Sequence, residues 1–347
     1  MYVSNRSQSL FVFLSFLFFS IILSQCKTSE NSTQNTDPTS KTISSLEKVE
    51  IGETGQWLLM RGADIHKPVL LILHGGPGAA SIGFARHFYK DLEKDFVVVN
   101  WDQRGSGKSF SFFLPDLTPD MYVSDTHEVI NFLKKRFGVH KVFLMGHSWG
   151  GYIGALYASR YPENLFAYIG IGPVIRGEES AKISYEYVLE QAKKDPKLES
   201  QAKDLSLDSY LQDRRYWLNS FGIGLFHGEH SKDESAFLRG LMSDSPDYSL
   251  LDMITYLPGI WKSSSRIRPY FFQMDLFQQA PEIRTPVYFF TGRHDYYNPL
   301  EILERYTKAL KAPKKNITIF ETCAHAPHFE LPKEFSEKMT AKLLSEK

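Results

Sequence analysis

Val142-Phe143-Leu144-Met145-Gly146-His147-Ser148-Trp149-Gly150 is the stretch on which the reading of this chain turns. Four apolar residues of β-forming character lead directly into a G-x-S-x-G sequence. Residues 152–160, rich in Ala, Tyr and Leu, follow until Pro162 stops them. Strand, sharp turn, helix is the expected order. In such a nucleophile elbow a strained turn holds the serine Oγ clear of the sheet. Flanking glycines suit it, because helix and strand approach too closely for larger side chains. A glycine-rich turn carrying an incidental serine is the alternative, and the rest of the chain has to decide.

Outward from this segment, apolar strands alternate with helical patterns. Val69-Leu70-Leu71-Ile72-Leu73 ends in His74-Gly75-Gly76-Pro77-Gly78. A helical pattern over 84–94 leads to Phe96-Val97-Val98-Val99-Asn100, and an amphipathic helix is predicted over 120–137. Val49-Glu50-Ile51 and 57–60 read as a hairpin around Gly52-Glu53-Thr54-Gly55. Fully apolar strands separated by helices predict an α/β protein with a mostly parallel sheet covered on both faces. The rhythm breaks near Gly172-Pro173 and resumes with Pro286-Val287-Tyr288-Phe289-Phe290, a helix over 301–310, the strand Asn316-Ile317-Thr318-Ile319-Phe320 and a closing helix over 333–344. Residues 46–173 and 278–347 are therefore expected to form the core. Residues 174–277 are expected to form a helical cap over the carboxyl ends of the strands, where ligands bind such sheets.

Three residues suited to nucleophilic catalysis fall at predicted strand ends, in the order Ser148, Asp295, His325. A serine hydroxyl becomes a useful nucleophile when an imidazole accepts its proton, and a buried carboxylate fixes the imidazole tautomer. Asp295 alone would be an ordinary turn residue; its place after strand 287–290 makes it a candidate acid. His328 competes with His325 as base, but His325 is nearer the strand end. The His74–Gly78 loop, beside the amide of Trp149, offers backbone N–H groups to a tetrahedral oxyanion; a plain Gly/Pro turn is its other reading.

Together HGGPG at 74–78, DQRGSGKS at 102–109, GHSWGG at 146–151, GRHD at 292–295 and AHAPHFELP at 324–332 resemble the proline iminopeptidase branch of the α/β-hydrolase superfamily. The resemblance runs from about residue 50 onward, and the order Ser, Asp, His is that of the superfamily. It implies an α/β-hydrolase fold with a cap, the triad Ser148, Asp295 and His325, and an oxyanion hole from the amides of Gly76 and Trp149. The spacing of Ala324-His325, Glu330 and Pro332 follows the family and favours His325 over His328. Arg104 is expected to be ion-paired rather than catalytic. Members recognise a free peptide amino terminus through cap carboxylates. Glu178, Glu186 and Glu190, with Glu179 beside them, are the candidates, and exposed helix face is their alternative reading.

Zero formal net charge and interspersed basic residues argue against a nucleic-acid partner. Lys134-Lys135-Arg136 ends a helix, where cations suit the dipole. His87, His127 and His140 are scattered over different elements, so neither metal nor other cofactor is implied. Residues 10–23 are apolar and have the length of a signal-peptide core rather than a membrane span. They run into Leu23-Ser24-Gln25-Cys26, which resembles a lipoprotein processing site, with Gln25 in place of the usual small residue. Residues 1–25 are thus expected to be a signal peptide, Cys26 a lipidation site, and 26–45 a polar tether. That layout predicts a bacterial cell-envelope protein lipid-anchored to the membrane outside the cytoplasm; a soluble exported protein or an uncleaved signal anchor are the alternatives. With Cys26 acylated, Cys323 has no disulfide partner and is expected to be a small buried residue. The expected activity is an aminopeptidase of the proline iminopeptidase type, releasing N-terminal residues from small peptides through an acyl-enzyme. A carboxylesterase or amidase, and a non-catalytic envelope binding module on the same fold, are the alternatives.

Overall fold

The computed structural model describes residues 41–346, which lie within one compact unit. The signal peptide, Cys26 and most of the expected tether lie outside the described residues. Eight strands form one sheet in the order β1-β2-β4-β3-β5-β6-β7-β8. β1 (Ile43–Ile51) and β2 (Thr54–Gly62) make the expected antiparallel hairpin, with Ile51 opposite Thr54. The two-residue turn between them, Gly52-Glu53, has positive φ at both positions, the geometry that matches the twist of paired strands. Strand pairing begins at Ile43, so residues 43–45 belong to β1 rather than to the tether. Ser45 is buried there.

β3 (Val69–Leu73), β4 (Val97–Asp102), β5 (Val142–His147), β6 (Leu165–Ile171), β7 (Val287–Gly292) and β8 (Lys315–Phe320) are mutually parallel. β3, β4, β5 and β7 are buried along their whole length. This is the consequence of helices on both faces, and two apolar clusters sandwich the sheet. Leu71, Val99 and Leu144 point into one, Leu70, Val98 and Phe143 into the other. Helix Pro119–Phe137 starts on a Thr118 side-chain cap with proline at its first position and ends at Gly138 in the left-handed region. The helix expected over 84–94 is shorter, Ile82–Phe88, and the chain turns at 89–91 into a single helical turn, Leu92–Lys94. Tyr89 and Leu92 are both buried there, so tertiary packing overrides the helical pattern.

Between β6 and β7 the chain is helical, from Gly177–Ala192 to Leu276–Gln279. Helix Leu250–Phe271 is the longest of these segments. None of the described helices is long and apolar enough to cross a membrane.

Candidate active site

β5 delivers Ser148 at φ 54°, ψ −112°, a conformation that costs on the order of 1–3 kcal/mol for a side-chain-bearing residue. The surroundings hold it there. The Ser148 N–H donates to Ile171 O at 2.9 Å, and Ser148 O accepts from Tyr152 and Val174. The elbow glycines are needed for close approach. A β-carbon on Gly146 would sit 2.2 Å from Gly150 O, and one on Gly150 would sit 2.2 Å from Leu73 O. Ser148 is consequently less enclosed than its neighbours and faces a cavity of about 310 Å³.

His325 faces the same cavity from the loop after β8. Its Nδ1 donates to Asp295 Oδ2 at 2.9 Å, leaving Nε2 for the serine side. Both partners are buried, and Asp295 Oδ1 also accepts the Asn298 N–H at 2.8 Å. His328 is buried with neither ring nitrogen hydrogen-bonded among the described residues. Burial holds it well below the usual imidazole pKa and therefore neutral. It has no carboxylate partner among the described residues to fix a tautomer, whereas His325 has Asp295.

Gly75 and Gly76 line the cavity beside Ser148. Trp149 is the first residue of helix Trp149–Arg160, so its N–H has no acceptor one turn back and stands at the positive helix end. The glycine loop is pinned by His74, which lies beneath it. The His74 Nδ1–H donates to Gly75 O at 2.8 Å, and Nε2 accepts the Gln103 N–H at 3.1 Å. Burial lowers its pKa to about 4, so it acts as a neutral hydrogen-bonding wedge. Arg104 is ion-paired at 2.5 Å with the buried carboxylate of Asp125. It lies outside the cavity lining, in agreement with the structural role expected for it.

Around the centre sit residues whose positioning role only the structure reveals. Gly172 packs against Asp295 and His325, and its carbonyl accepts from Asn298 Nδ2 at 2.7 Å. Glu330 accepts the amides of Ala324 and His227, each at 2.7 Å, and so braces the residue before His325. Burial raises its pKa to about 7. Cys323 is buried beside the histidine loop, and burial pushes its thiol up to about 12, as suits a packing residue.

The expected recognition glutamates are placed elsewhere. Glu178 pairs with Lys182 and Glu190 with Lys193 on an exposed helix face, Glu186 is exposed, and Glu179 pairs with Arg176 and Arg305. None of them lines the cavity; successive helical turns carry them outward. A cap carboxylate that does reach the cavity wall, through Arg215, is Glu234, fully buried, which the sequence reading missed. It accepts the amides of Leu225 and Phe226 and pairs at 2.7 Å with Arg215. Among the described residues, the charged side chains lining the cavity are Arg215 and Arg239, set among Leu238, Met242, Met253 and Leu257.

The α/β-hydrolase fold family model matches residues 68–332. A probable aminopeptidase of Bacillus subtilis (strain 168) is 32% identical over 309 residues, covering 87% of this chain and 97% of that protein. A proline iminopeptidase of Heyndrickxia coagulans is 25% identical over 77% of the chain and 87% of its own length. Among solved structures, a proline iminopeptidase-related protein from Thermus thermophilus superposes with a TM-score of 0.63 at 22% identity, covering 88% of this chain and 98% of that one. A sheet order with a strained serine after β5, an Asp after β7 and a His after β8 agrees with these similarities, and the chain belongs to the α/β-hydrolase fold family.

Proposed function

We propose that the protein is a serine hydrolase that cleaves amide bonds of short peptides through an acyl-enzyme. The observation that carries this reading is His325, backed by buried Asp295, facing the same cavity as a serine held in a strained turn. Ser148 Oγ attacks the carbonyl carbon as His325 Nε2 takes its proton. The oxyanion accepts the amides of Gly76 and Trp149. His325 then returns the proton to the leaving amine, and water repeats the sequence on the acyl ester. The resemblance of the core motifs and the aminopeptidase and proline iminopeptidase relatives support a peptide with a free amino terminus.

A second reading, an esterase or amidase for apolar acyl groups, is favoured by the cavity lining. Among the described residues it includes no carboxylate, and Glu234 is already engaged by Arg215 and two amides. Rates on proline and alanine arylamides, their N-acetylated forms and short aryl esters separate the two. The peptide reading expects free arylamides to be cut and acetylated ones to be cut very poorly, since a buried charge partner is worth about 2–5 kcal/mol. Equal rates on both would replace it with the second. Failure of Ser148 to label with a fluorophosphonate would remove the hydrolase reading altogether.

A further inference from the structure

Helix Leu250–Phe271 turns its inner side to the cavity and an apolar side to solvent. Met253, Tyr256 and Ile260 line the cavity, and Thr255, Gly259, Ser263 and Ile267 are buried. On the outside, Leu250, Ile254, Leu257 and Trp261 recur at helical spacing with Leu251 beside them. The loop after β4 adds Phe112 and Phe113, and these seven large side chains are between 62% and 93% exposed. The loop is tied to the helix. Lys262 Nζ donates to the carbonyls of Ser111 and Phe112 and lies 5.7 Å from the Phe110 ring, while Arg266 donates to Leu114 O at 3.2 Å. Scattered surface leucines are ordinary; a contiguous stripe of this composition marks an interaction surface.

We propose that this face docks on a phospholipid bilayer and lays the outer wall of the Ser148 cavity against the lipid. Three arguments select lipid over another occupant. The stripe combines aliphatic residues, Phe and a Trp, the composition of interfacial helices, in which an indole sits at headgroup depth. The helix carries Lys262, Arg266 and Arg268 against a single acid, Asp252, which Lys108 neutralises at 2.9 Å. That balance suits anionic headgroups, and Arg268 is exposed while Lys262 and Arg266 hold the loop. The third argument is the chain upstream, where an apolar segment and Cys26 precede β1 by 16 residues, a maximum reach of ~50 Å. A fold held at Cys26 stays close enough to present one face to the membrane. Leu257 belongs to both the stripe and the cavity lining, so an apolar acyl group would reach the site without crossing water.

The docking surface stands apart from the hydrolase reading, and its decisive readout is vesicle insertion rather than turnover. Of the five tryptophans, Trp261 is the exposed one. The full chain is bound to vesicles of phosphatidylcholine and phosphatidylglycerol carrying brominated acyl chains, and tryptophan emission is compared with that of Trp261→Phe. Insertion predicts a blue-shifted, bromine-quenched component worth one tryptophan in five, absent from Trp261→Phe. Ile254→Glu and Phe113→Glu, at exposed positions away from the cavity lining, should abolish that component while leaving turnover of a soluble substrate unchanged. Equal quenching of wild type and Trp261→Phe, or no vesicle binding, would overturn the proposal. So would a dimer by sedimentation that Ile254→Glu converts to monomer, since the stripe would then be covered by a second copy.

Discussion

A β-carbon placed on Gly172 would lie 2.8 Å from Asp295 Oδ2 and 3.1 Å from His325 Nδ1. Gly172 sits at the carboxyl end of β6 with φ +45°, and its carbonyl is held by Asn298, whose own N–H holds Asp295. The chain turns there out of the sheet toward the cap, and the acid–base pair packs directly on that turn. Gly172→Ala should therefore displace the Asp295–His325 pair. A loss in kcat of about 10- to 100-fold is expected, with KM little changed and the circular dichroism spectrum retained. Wild-type kcat in Gly172→Ala would show that the contact does not position the pair.

Ser148→Ala and His325→Ala should each lower turnover on the order of 10⁴-fold or more, and combining them should cost little further, because such residues act as a unit. His328→Ala should be much milder, since its ring nitrogens make no hydrogen bond among the described residues. Steady-state rates on an arylamide and an aryl ester check this. An inactive His328→Ala beside an active His325→Ala would reverse the assignment of the base.

Glu330 predicts a pH dependence of stability. Its pKa is raised by burial from 4.5 to about 7, so the folded state binds more protons than the unfolded chain between those values. Stability therefore falls as pH rises from about 4.5 to about 7 and is flat beyond, with about 3 kcal/mol as the upper bound before solvent screening of this partly exposed group. Melting temperatures from pH 4.5 to 8.5 should show wild type losing ground to Glu330→Gln across that window. Parallel curves would mean that Glu330 does not titrate there.

Tyr248 ties the cap to the core by donating to Asp102 Oδ2 at 2.6 Å, while Asp102 also accepts the amides of Ser81, Ile82 and Lys108. Tyr248→Phe leaves a buried carboxylate one donor short. The expected cost is on the order of 1–3 kcal/mol, read as a lower melting temperature. Cap opening should accompany it, visible as faster hydrogen exchange across 230–271 than across β5. Uniform destabilisation would assign the bond to the whole fold instead.

Much of the core was legible because its signals are local. An apolar run ending in Gly-x-Ser-x-Gly specifies strand, turn and helix within nine residues, and the glycines around Ser148 are dictated by backbone contact alone. β6 was not singled out, because Leu165-Phe166-Ala167-Tyr168-Ile169-Gly170-Ile171 lacks a β-branched run and mixes Ala and Gly among its apolar residues. The candidate cap carboxylates lie away from the cavity, on the exposed helix face that was their alternative reading, for a related reason. Glu178, Glu186 and Glu190 look like any other glutamates in sequence, and helical phase against a distant surface turns them to solvent.

The residues by themselves determined most of the strands, the elbow and the order in which Ser148, Asp295 and His325 arrive, because hydrophobic periodicity and close-packed glycines act over a few positions. Tertiary structure decided what surrounds that centre. Gly172, Asn298 and Glu330 brace it from segments far apart in the chain, Arg215 and Arg239 supply the cavity's charges, and an apolar stripe is left outside. These depend on which surfaces the folded chain brings within a few ångströms, and that distance is not a property of any short stretch of sequence.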